Sequence, residues 1–181
     1  MKKAKQRTAH QAGNRNTVIE DIRCLMADKF AGDDMTAACL FWAKATCLRL
    51  EQAGHRAVIQ AGSAYWKRVP PELDDGVVST EYGYRWDVDD PTNMVSLMEG
   101  GMPEMHCWAA LPDRNQIIDL TTGFQVERCR NLLAMDWPAE HPPDWLWINS
   151  QDAAKKGCFY EPCPAAIRIA LGMLRISKWG E

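Results

Sequence analysis

The chain reads as an α+β protein. Helices come first, strands follow mostly one after another, and the strand–helix–strand alternation of a parallel sheet is missing. Apolar residues recur at helical spacing through residues 17–30 and 39–54. Strand-like patterns then fill RAVIQAGSAYW, EYGYRWDV and the paired runs MHCWAAL and QIIDLTT. No internal repeat, low-complexity tract or linker divides the 181 residues, which suit one domain able to bury a core.

The elements follow in order. Asn16-Thr17 can cap a first helix, TVIEDIRCLMADKF, with Val18, Ile22, Leu25 and Met26 on its apolar face. Gly32-Asp33-Asp34 breaks it, and Thr36 is the expected N-cap of a second helix with Cys39 in its first turn, ending at Gly54. A strand over 56–66 comes next, then a loop over 67–80 marked by Pro70-Pro71 and Asp74-Asp75-Gly76. Tyr82, Tyr84 and Trp86 alternate in a strand over 81–88. DDPTNMVSLMEGGMP reads as a connection holding a short helix stopped by Gly100-Gly101, and a hairpin spans 105–121. Residues 125–137 read as helix, PAEHPPDWLW as a Pro- and Trp-rich loop, and AAIRIALGMLRISKW as a closing helix opened by Pro164.

Composition narrows the class. With 46% apolar and 25% charged residues the chain belongs with folded proteins rather than disordered ones. No apolar run approaches the roughly 20 residues that span a bilayer, so no membrane partner is expected. The basic N-terminus lacks the apolar segment of a secretory signal. Seven cysteines, an odd number without small-domain spacing, fit a reducing compartment, and cytoplasm is the expected location. Residues 1–15 carry Lys2, Lys3, Lys5, Arg7 and Arg15 and no acid, although the whole chain is at −3. They read as a basic, flexible arm ahead of a single domain over 16–181. Without aromatic interleaving or a folded motif, this arm does not argue for nucleic acid.

The chemistry lies in Cys39, His106 and Asp119. A thiol of ordinary pKa is mostly protonated at neutral pH, so a nucleophilic cysteine needs help. The first turn of a helix supplies unpaired amides and a positive dipole end, which favour a thiolate and can also hold a developing oxyanion. An imidazole stabilises the thiolate as an ion pair and later protonates the leaving group, while a carboxylate on its far side fixes the tautomer.

Strand parity tests whether His106 and Asp119 can meet. A four-residue loop, Pro112 to Asn115 with Leu111 paired to Gln116, puts them on one face as diagonal neighbours; a three-residue loop would separate them. In that register Trp108 faces Asp119, shares the face of His106 and can shield the pair from water. The same parity turns Cys107 away from His106 and excludes it as nucleophile. Cys47, two turns and about 12 Å beyond Cys39, is too deep in its helix for help from the dipole and too far for a disulfide. Cys24, Cys129, Cys158 and Cys163 have no base nearby in sequence.

Cys39, Trp42-Ala43 and Gly54, followed by HRAVIQAG, resemble the cysteine helix and next strand of the transglutaminase-like superfamily. HCWAAL and IIDLTTG are similar to its His-x-Trp and Asp-x-Thr strands. The resemblance covers residues 35–65 and 104–123, about half the chain, and the three pieces occur in the family's order. It implies a papain-like core with the cysteine helix packed on an antiparallel sheet. It also implies Cys39 as nucleophile, His106 as general base and acid, and Asp119 as orienting residue. Two positions depart from the pattern: Ala37-Ala38 where Gly or Trp is frequent, and Leu120 where Pro is common. Trp108 and Trp42 are the candidate substrate contacts.

Other motifs carry less. Cys158 and Cys163 with His141 and Cys129 lack the second close pair of a zinc site, so no metal is expected. Asp87, Asp89 and Asp90 lack the Gly and terminal Glu of a calcium loop. Trp137, Trp145 and Trp147 are expected to wall the core rather than form a peptide groove. No phosphate-cradling loop or dinucleotide fingerprint is present, and no cofactor is expected.

The expected function is a cysteine hydrolase or acyltransferase acting on an amide or ester of a peptide, protein or small molecule. Hydrolysis is favoured over amine transfer, and an arylamine acetyltransferase is disfavoured by the short chain. The alternative is an inactive fold kept as a protein- or peptide-binding module.

Overall fold

The computed structural model describes residues 2–29, 38–67, 81–137 and 142–176. In chain order the elements are α1 (Lys2–Lys29), α2 (Cys39–Gln52), β1 (Val58–Lys67), β2 (Glu81–Tyr84), α3 (Pro91–Met98), β3 (His106–Leu111), β4 (Gln116–Asp119), α4 (Phe124–Leu133), β5 (Leu146–Asn149), the single turn α5 (Ser150–Ala153), β6 (Cys158–Pro162) and α6 (Pro164–Ile176). The α+β class holds, and every strand pairing is antiparallel.

β1 is the central strand. Its first half pairs β3, its second half pairs β2, and β6 lies along the other edge from Gly62 to Trp66. β4 and β5 extend the sheet beyond β3. From β6 to β4 is three strand spacings, about 14 Å in a flat sheet. Yet the Tyr160 hydroxyl on β6 donates to Asp119 on β4 at 2.7 Å, so the sheet curls and its concave face closes on itself. Gly62 allows part of this. A Cβ there would lie 2.1 Å from the Glu161 carbonyl oxygen, so only glycine lets β6 approach so closely.

Helices cover the other face. Ile19, Ile22 and Met26 of α1 pack with Trp42, Ala45, Cys47 and Leu50 of α2, and both meet Ala109, Leu111 and Ile118 of the hairpin. α6 lays Ala166 and Ala170 against Ala61 and Cys107. Three helix ends form as their residues dictate. Gly54 sits at φ +80, with the His55 amide bonding the Leu50 carbonyl and the Gly54 amide bonding that of Glu51, a Schellman stop for α2. Asp90 caps α3 by accepting the Thr92 amide at 2.8 Å, which gives this acidic loop residue a structural use. Pro164 opens α6, where its missing N–H costs nothing.

Several expectations change. The first helix starts at Lys2 rather than Thr17, so the basic stretch is helical, and Arg15 stacks over Trp147 at 5.1 Å while bonding its carbonyl. Its core face is Ile19, Ile22 and Met26; Leu25 is exposed, because the stripe advances by three and then four residues. Ala38 stands at the N-cap of α2, and among the described residues no side chain caps the helix. The strand expected over 81–88 ends at Tyr84. β5 takes only the last two residues, Leu146 and Trp147, of the expected Trp-rich loop, and β6 is a strand beyond those expected. Trp137 and Trp147 wall the core as expected. The Gly32 break, Thr36, the 68–80 loop, Pro138 and His141 fall outside the described residues. Among those described, no helix is long and apolar enough to cross a membrane.

Candidate active site

Three elements converge on one point. Cys39 is the first residue of α2, His106 the first of β3 and Asp119 the last of β4. The hairpin has the four-residue loop, with Leu111 opposite Gln116 and Ala109 opposite Ile118. His106 and Asp119 therefore share a face, and His106 Nε2 lies 2.8 Å from Asp119 Oδ2.

The carboxylate is fully occupied. Oδ2 also accepts from the Tyr160 hydroxyl at 2.7 Å, while Oδ1 accepts from the Thr121 amide at 2.9 Å and the Thr121 hydroxyl at 2.6 Å. Burial alone would raise the Asp119 pKa; the charge of His106 and these donors outweigh it and hold the carboxyl below its usual range. Burial likewise pulls His106 down, but the charge and hydrogen bond of Asp119, then Cys39, carry it up to about 10. The imidazolium is boxed by aromatic rings. Tyr84 stacks on it at 5.3 Å, Trp108 lies near-parallel at 6.2 Å and Trp66 meets it edge-on at 5.2 Å. Aromatic faces attract a cation, and their bulk excludes water from the ion pair.

With Nε2 committed to Asp119, Nδ1 is the nitrogen left for Cys39. It makes no hydrogen bond of ordinary geometry, a looseness common where catalytic contacts tighten only on substrate. The Cys39 thiol is held well below the ordinary thiol range. A hydrogen bond from the Cys107 thiol contributes most, burial opposes it, and the His106 ring and the Cys107 amide add to it. The cost falls on Cys107, whose thiol is pushed well up by the same contact. We assign the charge to Cys39, because only Cys39 stands at a helix N-terminus and beside the imidazolium. Ala38 reinforces this, because the residue at the N-cap has no side-chain acceptor to set against an anion at the helix start. Cys47 behaves as expected, pushed up to about 12 by burial and then by Glu51.

The three predicted residues thus come together, and all are buried: Cys39 is 4% exposed, His106 0% and Asp119 2%. Trp108 shields the pair from the face the hairpin register requires. Trp42 turns into the core beside Phe124, where it is 6% exposed. Tyr160, Thr121 and Tyr84 were missed as site residues. Tyr160 carries no local signal, since it reaches Asp119 only through the curl of the sheet. Thr121 had one, as the residue two beyond Asp119 in IIDLTTG. Beside the first turn of α2 lies a cavity of about 570 Å³ walled by Leu40, Phe41, Leu97, Met102, Ile169 and Met173. Leu40, Met102, Ile169 and Met173 pack in the same cluster as Cys39.

No family model matches the chain, and no curated protein or solved structure matches it either.

Chemically, the arrangement can ionise a thiol and hold it against a proton carrier. All seven cysteines are free, and among the described residues no group of His, Cys, Asp and Glu is placed to hold a metal.

Proposed function

We propose that this chain is a cysteine-dependent hydrolase or acyltransferase of transglutaminase-like, papain-like type, acting on an amide or ester. One observation carries the reading. A fully buried His106–Asp119 pair, 2.8 Å apart, leaves the second imidazole nitrogen for a cysteine at the uncapped start of a helix. The Cys39 thiolate attacks the carbonyl carbon, and the C=O electron pair moves to oxygen, stabilised by first-turn amides. The pair returns as the C–N or C–O bond breaks, and the leaving group takes the proton from His106 Nδ1. Water then gives a proton to Nδ1, attacks the thioester, and Cys39 leaves as thiolate. Hydrolysis is favoured over transfer because water needs no second substrate site. The apolar cavity beside α2 favours an acyl group with an apolar portion.

The burial of all three residues favours a second reading, a binding module that retains the fold without turnover. Incubation with p-nitrophenyl esters of acetate and longer fatty acids, followed by intact mass, separates the two. The enzyme reading expects an acyl adduct on Cys39 that decays in water and is absent from Cys39→Ala and His106→Ala. Folded wild-type protein that never acylates would leave the binding module.

A further inference from the structure

Strand parity removes Cys107 as a nucleophile and, by the same rule, delivers it to Cys39. Successive β3 side chains alternate, so Cys107 leaves the His106 face for the face that α2 covers. There both thiols pack in one buried cluster with Leu40, Ala43, Ala61 and Met105, and each shifts the titration of the other. Both are free and buried, at 4% and 1% exposure. Cys47 is two turns further along α2, and no other thiol shares this cluster apart from the half-exposed Cys163 at its margin.

We infer that Cys39 and Cys107 form a site of reversible oxidation, at which a hydroperoxide closes a disulfide that withdraws the nucleophile. The Cys39 thiolate attacks the terminal peroxide oxygen, and the O–O bond breaks. The departing oxygen takes a proton from His106, leaving Cys39 as sulfenic acid. Cys107 sulfur then attacks Cys39 sulfur and loses its proton; the S–O bond breaks and water departs. The two thiols have given two electrons and two hydrogens to the peroxide. A dithiol reverses the step. Without Cys107, the sulfenic acid has no partner in reach and can be carried on to the irreversible sulfinic acid. Cys107 thus protects the nucleophile as well as silencing it. The inference needs only the reactive thiolate and no carbonyl chemistry.

The test is to treat the reduced, full-length protein with a few equivalents of hydrogen peroxide at neutral pH and follow intact mass and peptide maps. Wild type is expected to lose two hydrogens, yield a Cys39–Cys107 cross-linked peptide, and regain its starting mass and iodoacetamide reactivity with dithiothreitol. Cys107→Ser and Cys107→Ala are expected to gain oxygen at Cys39 and not recover. Either variant serves if the other melts early, and the wild-type cross-link decides if both do. Oxygen gain at Cys39 in wild type without the cross-link would overturn the inference. So would a cross-link to another cysteine, or no oxidation at all. Loss of esterase activity in unoxidised protein would count against the hydrolase reading alone.

Discussion

Replacing Asp119 by Asn tests how the site is held together. The aspartate accepts four hydrogen bonds, two at each oxygen: His106 and Tyr160 at Oδ2, and the Thr121 amide and hydroxyl at Oδ1. An amide NH2 therefore meets donors in either orientation. Turned toward Thr121 it opposes a backbone N–H; turned toward His106 it makes Nε2 an acceptor and moves the ring proton to Nδ1, facing Cys39. That is the wrong tautomer for a base, the fault that an equivalent exchange causes in serine-protease triads. The charge is lost as well. His106 stands at about 10 because Asp119, joined by Cys39, outweighs burial, and without the Asp119 charge the ring titrates lower. Each unit of that fall removes about 1.4 kcal/mol of imidazolium stabilisation. Cys39 then loses the help of the imidazolium and keeps only the Cys107 contacts and the helix terminus to hold its thiol down. Each unit by which the Cys39 thiol rises cuts its thiolate about tenfold, so iodoacetamide should label Cys39 at least tenfold more slowly at pH 6 than in wild type, the two rates converging by pH 9. Stability changes in step. A histidine raised above its unfolded value of 6.5 stabilises the fold fully below that pH and loses the contribution as pH rises through about 10. The wild-type advantage in Tm over Asp119→Asn should therefore shrink between pH 7 and pH 10.5. A folded variant labelling within threefold of wild type at pH 6 would refute the argument.

Tyr160→Phe removes one charged-acceptor hydrogen bond. It should cost about 1.5–3 kcal/mol in denaturant melts and move the acid limb of Cys39 labelling to higher pH, since Asp119 becomes easier to protonate. Unchanged melts and an unchanged limb would make the bond idle. Ala38→Asp should cap α2, adding about 1 kcal/mol to stability, while slowing esterase turnover at least tenfold because the carboxylate occupies the oxyanion amides. Ala38→Ser, uncharged, should lose less. Gly172→Leu projects into open space on the cavity wall. It should raise KM for long-chain esters severalfold while leaving acetyl ester turnover unchanged; equal effects on both would place the acyl chain elsewhere.

The site was more legible in the sequence than the sheet that frames it. Cys39 at a helix start, His106 on a strand and Asp119 across a four-residue loop are local facts, and strand parity converts them into a contact. Gly54 and Asp90 end and begin their helices as their chemistry requires. The rest depends on long-range pairing. β5 starts at the end of a Pro- and Trp-rich stretch and takes its strand character from pairing with β4, and β6 forms because Gly62 admits it to the edge of β1. Tyr160 and the meeting of Cys107 with Cys39 follow from the curl of the sheet and the seating of α2. The missing N-cap is the opposite case. A good cap would have stabilised α2, and Ala38 stands where the anion needs those amides.

The most direct test of the central claim is the rate at which iodoacetamide alkylates each cysteine between pH 5 and 9, with His106→Ala alongside and mass spectrometry locating the label. The account predicts fast labelling of Cys39 that persists below pH 7 and disappears with His106. Cys47, held up at about 12, and Cys107, pushed well above the ordinary range, should stay slow. Labelling of Cys39 that follows an ordinary thiol titration near 8.5, unaffected by His106→Ala, would contradict it.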